Sequence, residues 1–307
     1  MEKLSLLTTE RSNPKTSRLD EMSISDILKT MNDEDQTVAL AVREVIPQIE
    51  KTVEKVAAAF RNGGRLLYVG AGTSGRVGVM DAVECPPTFG TSPDLVKAVL
   101  AGGEGAMYVA VEGAEDDEAL GAKDLADLQV SSQDVIVGIA ASGRTPYVKG
   151  ALVYAKSCGA TTVSLSNNED SLISHYADIP IEVITGPEIV TGSTRLRAAT
   201  SHKLILNMIS TTAMVKNGKV YQNLMVDLNA SNFKLRERAK KMVCTITELD
   251  EDKAESILEE TGYNVKQAIV MILAEVDKEK AQTLIETARG FVGRAVKLAS
   301  LEVGEED

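Results

Sequence analysis

Tryptophan is absent from this chain of 307 residues, and aromatic side chains make up only 4% of it. Platforms for stacking bases or sugar rings are therefore scarce. Three cysteines, Cys85, Cys158 and Cys244, stand far apart, which argues against a disulfide framework and against a zinc cluster. Histidine is almost missing too: His175 and His202 are the only two, and no third ligand lies near either. No metal site is expected, although His202 could contact a substrate. No stretch approaches the ~20 apolar residues of a membrane span, and the start of the chain carries charge without an apolar core. Neither a membrane anchor nor a signal peptide is expected, and a reduced, cytoplasmic setting fits. The formal net charge of −12 argues against sequence-independent nucleic-acid binding, which needs a basic surface. A phosphate ligand needs only a local site and is not excluded.

What is present is a glycine-rich turn behind an apolar run, Tyr68-Val69-Gly70-Ala71-Gly72-Thr73-Ser74-Gly75-Arg76. Leu66 to Val69 reads as a short buried strand, and Arg76 to Val83 as the helix that follows. Glycines let the backbone turn sharply and approach a ligand, while Thr73 and Ser74 bring hydroxyls. A helix N-terminus adds free N–H groups and a favourable dipole, the makings of an anion site. The plainer alternative is a tight turn that binds nothing. The spacing Gly70-x-Gly72-x-x-Gly75 nominally satisfies the dinucleotide fingerprint, but no acidic residue closes a second strand about 20 residues later. Asp94 comes nearest, and it follows Pro86, Pro87 and Pro93 in irregular chain. No Gly-Lys-Ser/Thr completes a P-loop. A phosphorylated small molecule suits the turn better than a nucleotide with Mg²⁺.

Along the chain, residues 1–60 read as a polar extended arm (Met1 to Asp20) and helices that pack on the core, with Asn32-Asp33 separating two of them. Strands are expected at Leu66–Val69, Val96–Leu100, Val135–Ala140, Thr161–Ser166 and Ile179–Val183. Helices are expected at Arg76–Val83, Ala106–Val111, Glu118–Leu128, Pro146–Ser157 and Thr194–Val215. This alternation means an α/β fold with a mostly parallel sheet, helices on both faces, and ligands at the carboxyl ends of the strands. Residues 61–232 form that domain. From Phe233 only helical patterns appear, at Leu235–Val243, Asp252–Thr261, Val265–Val276, Lys278–Ala288 and from Val292 on. Residues 233–307 therefore read as a small C-terminal helical bundle for packing or dimer contact.

The hydroxyl-turn logic recurs. Val135 to Ala140 runs into Ala141-Ser142-Gly143-Arg144-Thr145-Pro146, with proline starting a helix. A third cluster, Thr191-Gly192-Ser193-Thr194, opens the long helix and is followed by Arg195, Arg197 and Lys203. Each cluster alone is explained by helix capping. Three converging clusters point to a phosphate site, with Thr73, Ser74, Gly75, Ser142, Thr145, Ser193 and Thr194 as the expected binding residues. Arg197 and Lys203 are expected to face the same ligand, though either could pair with surface acids.

These clusters resemble the sugar isomerase (SIS) domain, which binds phosphosugars through Ser/Thr-rich turns. Longer stretches are similar to the N-acetylmuramic acid 6-phosphate etherase family: Glu84-Cys85-Pro86-Pro87-Thr88-Phe89-Gly90, Ala114-Glu115-Asp116, Ala140 to Tyr147, and Asn223-Leu224-Met225-Val226-Asp227. The similarity runs from the Asn32-Asp33-Glu34-Asp35 segment to the helical tail. It implies a lyase that cleaves the C3 D-lactyl ether of N-acetylmuramic acid 6-phosphate, giving N-acetylglucosamine 6-phosphate and D-lactate. Opening the ring exposes an aldehyde that acidifies the C2 proton. A base removes that proton, an acid protonates the departing lactate oxygen, and water adds at C3. Such chemistry needs two carboxyl groups in different protonation states and no metal or redox cofactor.

By resemblance Glu84 is the acid and Glu115 the base, and one residue could serve both steps in turn. Read without the resemblance, Glu84 is a solvated helix end before Pro86-Pro87, and Glu115 one charge in an acidic loop. The resemblance also implies a homodimer whose partner completes the site, and a setting in the recycling of bacterial cell-wall sugars. Two rival readings share the architecture: a sugar-phosphate-binding regulator without turnover, as in glucokinase regulatory protein, and an aldose–ketose isomerase or aminosugar deaminase.

Overall fold

The computed structural model describes residues 7–228, 230 and 232–303. Residues 1–6 of the expected arm and 304–307 of the expected last helix lie outside the described residues. The chain divides into two compact units, one of residues 1–83 and 93–211, the other of residues 84–92 and 212–307.

In the first unit, five parallel strands form one sheet: β1 (Leu66–Gly70), β2 (Val96–Leu100), β3 (Val135–Ile139), β4 (Thr161–Ser166) and β5 (Ile179–Glu182), in the order β2-β1-β3-β4-β5. β1 and β3 are buried along their whole length, as strands covered on both faces must be, which is why they read as continuous apolar runs. In chain order the helices of this unit are α1 (Ile24–Glu44), α2 (Ile46–Arg61), α3 (Gly72–Phe89), α4 (Glu118–Asp127), α5 (Pro146–Ser157) and α6 (Arg197–Val215). The last residues of α3 and α6 belong to the second unit. Leu67, Val69 and Ile136 face α5, sharing a core with Tyr147, Val148, Ala151 and Leu152. The opposite face carries Tyr68, whose hydroxyl donates to Asp81 of α3 at 2.9 Å. Helices thus cover both faces.

The second unit is helical: α7 (Phe233–Thr247), α8 (Glu251–Glu260), α9 (Val265–Ala274), α10 (Lys278–Thr287) and α11 (Val292–Val303). Its core gathers Val226, Val243, Leu258, Ala268, Ile269, Leu284 and Ala295. Asn232, Asp250, Asn264 and Asp277 each accept a backbone N–H at a helix start, so α7 to α10 each begin on a side-chain cap. Among the described residues no helix is long and apolar enough to cross a membrane.

Several expected boundaries move. Asn32-Asp33 does not divide two helices: α1 passes through it, and the break comes at Val45, two residues before Pro47, whose missing N–H cannot continue α1. Helix α3 does not stop before Pro86. The fixed φ of proline is helical, so Pro86 and Pro87 remove two hydrogen bonds without ending the helix, and Gly90 N–H closes the last turn on Pro86 O at 2.9 Å. The helix expected at Ala106–Val111 is only a 3-10 turn, Glu104–Met107, because Tyr108, Val109 and Val111 are exposed and have no face to bury. The long helix begins at Arg197 and not at Thr194. The arm is not extended over the described residues but wound into three 3-10 turns, Thr8–Glu10, Pro14–Thr16 and Leu19–Glu21. Its polar residues are bonded inward: Asn13 donates to Glu34 at 3.2 Å, and Thr16 to the Ile189 carbonyl at 2.9 Å.

Candidate active site

In the strand order 2-1-3-4-5 the chain reverses direction across the sheet between β1 and β3, and ligands gather at such a switch point. Gly70 and Ile139 are in register there, so the turns after β1 and β3 leave the same carboxyl edge side by side. Helix α3 starts at Gly72, so Thr73, Ser74 and Gly75 occupy its first turn. The glycines have a steric reason: a Cβ on Gly75 would lie 2.6 Å from Gly70 O and 2.4 Å from Leu100 Cδ1. The helix start can press on the strand end only without side chains.

At the second turn Thr145 takes the N-cap position of α5, with Pro146 behind it, yet its side chain makes no capping hydrogen bond. The hydroxyls of Thr73, Ser74 and Thr145 have no hydrogen-bond partner among the described residues, while Ser142 Oγ accepts from Arg144 N–H at 3.3 Å. Capping therefore does not account for these side chains. Gly143, at φ +69°, turns the loop and packs where a Cβ would meet Ser171.

Two asparagines that sequence reasoning passed over support this edge. Asn168 donates to the carbonyls of Ala141 and Ser142 at 3.1 and 3.3 Å. Asn167 ties Val183 O and Ser201 Oγ at 3.0 Å each. Both lie just past the carboxyl end of β4, the one position where a buried Asn pair would have been a signal.

The third cluster is placed differently. Ser193 and Thr194 lie in turns ahead of α6, and the first N–H groups of that helix, on Arg197 and Ala198, already donate to the Glu188 carboxylate at 2.9 and 3.0 Å. Burial pushes the carboxyl of Glu188 up, although those two donors and the charge of Arg197 pull it down. The two expected cations are also engaged. Arg197 is buried and reaches Glu34, Thr37 Oγ1 and the Pro187 carbonyl at 2.7, 2.7 and 2.8 Å. Lys203 reaches the buried Asp81 at 3.1 Å. His202 is fully buried on α6, neither ring nitrogen has a hydrogen-bond partner among the described residues, and burial pushes its pKa down to about 3.

Glu115 is exposed on a 3-10 turn, Ala114–Asp116, held from below by Ala114 against the α5 core. Its loop is pinned at Glu104–Met107 by Arg76, whose guanidinium donates to the Ala106 and Met107 carbonyls at 2.8 to 3.1 Å. In the second unit Glu84, near the end of α3, is exposed and lines a cavity of about 780 Å³ together with Thr88, Thr91 and Arg238. That volume is ordinary for a small-molecule site.

A βα sheet with hydroxyl-bearing turns at its switch point is the arrangement of the SIS class. The SIS domain model matches residues 108–212, and the model of the glucokinase regulatory protein N-terminal SIS domain matches residues 48–156. Among curated relatives, an N-acetylmuramic acid 6-phosphate etherase from Geobacillus sp. (strain WCH70) is 56% identical over 270 residues, 88% of this chain and 92% of that one. Another etherase of that name, from Caldanaerobacter subterraneus subsp. tengcongensis, is 52% identical over 301 residues, 98% of each chain. A solved phosphoheptose isomerase from Francisella tularensis aligns at 17% identity and a TM-score of 0.49, over 63% of this chain and 100% of that one. The chain belongs to the N-acetylmuramic acid 6-phosphate etherase family.

Proposed function

We propose that this protein is a carbon–oxygen lyase that converts N-acetylmuramic acid 6-phosphate and water into N-acetylglucosamine 6-phosphate and D-lactate. The observation that carries the phosphate half of this reading is the pair of hydroxyl turns at the β1/β3 switch point, with unpartnered Thr73, Ser74 and Thr145 at two helix starts. Family membership supports the choice of reaction. Glu115 takes the C2 proton of the ring-opened sugar, and Glu84 gives a proton to the departing C3 oxygen. Since Glu84 stands roughly 16 Å along α3 from Thr73, the Glu84 that serves a bound phosphosugar is the one of the second protomer of the homodimer. Water then adds to C3 of the unsaturated aldehyde, restoring the hydroxyl. The protein works as a cytoplasmic homodimer in the recycling of amino sugars. Ser193 and Thr194 contribute through their side chains, while Arg197 and Lys203 hold Glu34 and Asp81 in place.

The test is D-lactate release from N-acetylmuramic acid 6-phosphate in ²H₂O. Deuterium at C2 of the product, and loss of release in Glu84→Gln and Glu115→Gln, are the expected outcomes. Tight binding of hexose 6-phosphates without lactate release would reassign the chain to the regulator reading.

A further inference from the structure

The cavity that holds Glu84 has a single cation among its described lining residues, Arg238 of α7. Arg238 is exposed and has no ion-pair or hydrogen-bond partner among the described residues, although the chain is strongly acidic. The other carboxylate on this wall, Asp227, is already neutralised, by Lys266 at 2.7 Å and Lys219 at 3.0 Å. The cavity also offers a buried hydroxyl without a partner, Thr91 Oγ1, and apolar walls at Leu235 and Val265. An unpaired guanidinium, a hydroxyl and an apolar strip beside one carboxyl group make a receptor for a small organic acid.

The leaving group of the proposed reaction has that composition. On one carbon a lactyl ether carries the ether oxygen, a methyl group and a carboxylate that is ionised at neutral pH. A group that protonates the oxygen must therefore share its cavity with whatever binds the carboxylate. We propose that Arg238 binds the lactyl carboxylate, as the residue that makes the enzyme specific for an acid-bearing ether. This rests on the etherase reading and on Glu84 serving the ether oxygen. The guanidinium receives the carboxylate through paired N–H donors, Thr91 supplies a further donor, and Leu235 and Val265 receive the methyl group. The charge pair fixes the C3 oxygen before the proton is transferred and stays with lactate until release.

The test compares kcat/KM for N-acetylmuramic acid 6-phosphate with that for its lactyl carboxamide, a neutral compound of the same shape. Hydrogen bonds to charged groups are worth roughly ten- to a hundredfold, so wild type is expected to prefer the acid by about thirtyfold. In Arg238→Ala that preference falls to about onefold, and Arg238→Lys keeps part of it, as a point charge would. A preference that survives in Arg238→Ala, or is missing in wild type, overturns the assignment. Turnover of the carboxamide shows that each variant is folded. Absence of ether cleavage by wild type, read as lactate from the acid and lactamide from the carboxamide, is a separate result: it overturns the etherase reading and the carboxylate site with it.

Discussion

Removing Glu34 should damage stability and leave catalysis nearly alone. Glu34 of α1 is 7% exposed and faces two cations, Lys15 at 2.6 Å and Arg197 at 2.7 Å, with Asn13 donating at 3.2 Å. Among the described residues Glu34 is the one carboxylate in ion-pair contact with Arg197, which is 4% exposed. In Glu34→Ala the guanidinium is left buried with only Thr37 and the Pro187 carbonyl, and breaking such a pair costs about 3–5 kcal/mol. At ~2–4 °C per kcal/mol the melting temperature falls by roughly 10 °C. Arg197→Ala should cost less, about 1–3 kcal/mol, because Glu34 keeps Lys15 and Asn13.

Burial alone would raise the pKa of Glu34, but Lys15, Arg197 and Asn13 outweigh it and hold the carboxyl below its ordinary 4.5. The stability it supplies is therefore complete above that value and is lost as pH falls through the lowered one. Thermal and urea unfolding by circular dichroism, at neutral pH and below pH ~4.5, measures both effects for the two variants. The reasoning is refuted if Arg197→Ala raises KM for the phosphosugar tenfold while Glu34→Ala leaves the melting temperature unmoved. The guanidinium would then serve the ligand and not the fold.

Gly75→Ala places a methyl group 2.6 Å from Gly70 O, so overpacking of about 1–3 kcal/mol is expected, together with weaker hexose 6-phosphate binding by calorimetry. Unchanged affinity would remove the first turn from the phosphate site. Arg76→Ala frees the Ala106 and Met107 carbonyls, and amide exchange over residues 104–116 should speed up about tenfold or more, with kcat falling more than KM rises. Exchange at the wild-type rate would show that the loop carrying Glu115 is held by something else. His202 is neutral in the folded chain, with a pKa near 3 against 6.5 for the free group, so protons are taken up on unfolding as pH falls below 6.5. Wild type should lose about 2 kcal/mol more than His202→Phe between pH 7 and pH 5 in urea titrations, and equal losses would contradict that burial.

The fold was legible because burial on both faces of the sheet leaves an unmistakable mark. Runs such as Leu66–Val69 and Val135–Ile139 cannot alternate when helices cover both sides, and a glycine or hydroxyl turn follows each within three residues. Two of the moved boundaries fall where proline or asparagine suggests a break by its local preference alone. Asn32 sits inside α1, where its Oδ1 accepts from Gln36 Nε2 at 2.9 Å, one turn on, and does not compete with the backbone. Pro86 and Pro87 sit inside α3 because a helix tolerates lost hydrogen bonds near its end. The partners of Arg197 could not be read at all. Glu34 and Thr37 are more than 150 positions away, and nothing in the sequence distinguishes a cation waiting for phosphate from one paired across the core.

That difference bears on where an anion can bind. Three helices of the first unit, α3, α5 and α6, follow hydroxyl clusters, and by local chemistry each could hold a phosphate. At α6 the seat is taken, since Glu188 presents its carboxylate to the first two N–H groups from a buried position. A phosphate seated on that helix end would meet an acidic group with little water between them to screen it, so in the proposed site Ser193 and Thr194 serve the ligand through their side chains and not through the helix N-terminus. At α3 and α5 no carboxylate caps the helix among the described residues, and the hydroxyls of Thr73, Ser74 and Thr145 stand unpartnered. On the proposed reading the chain therefore supplies its own anion at one helix and leaves two open. The open pair flanks the switch point, where neighbouring turns can share the oxygens of a single phosphate.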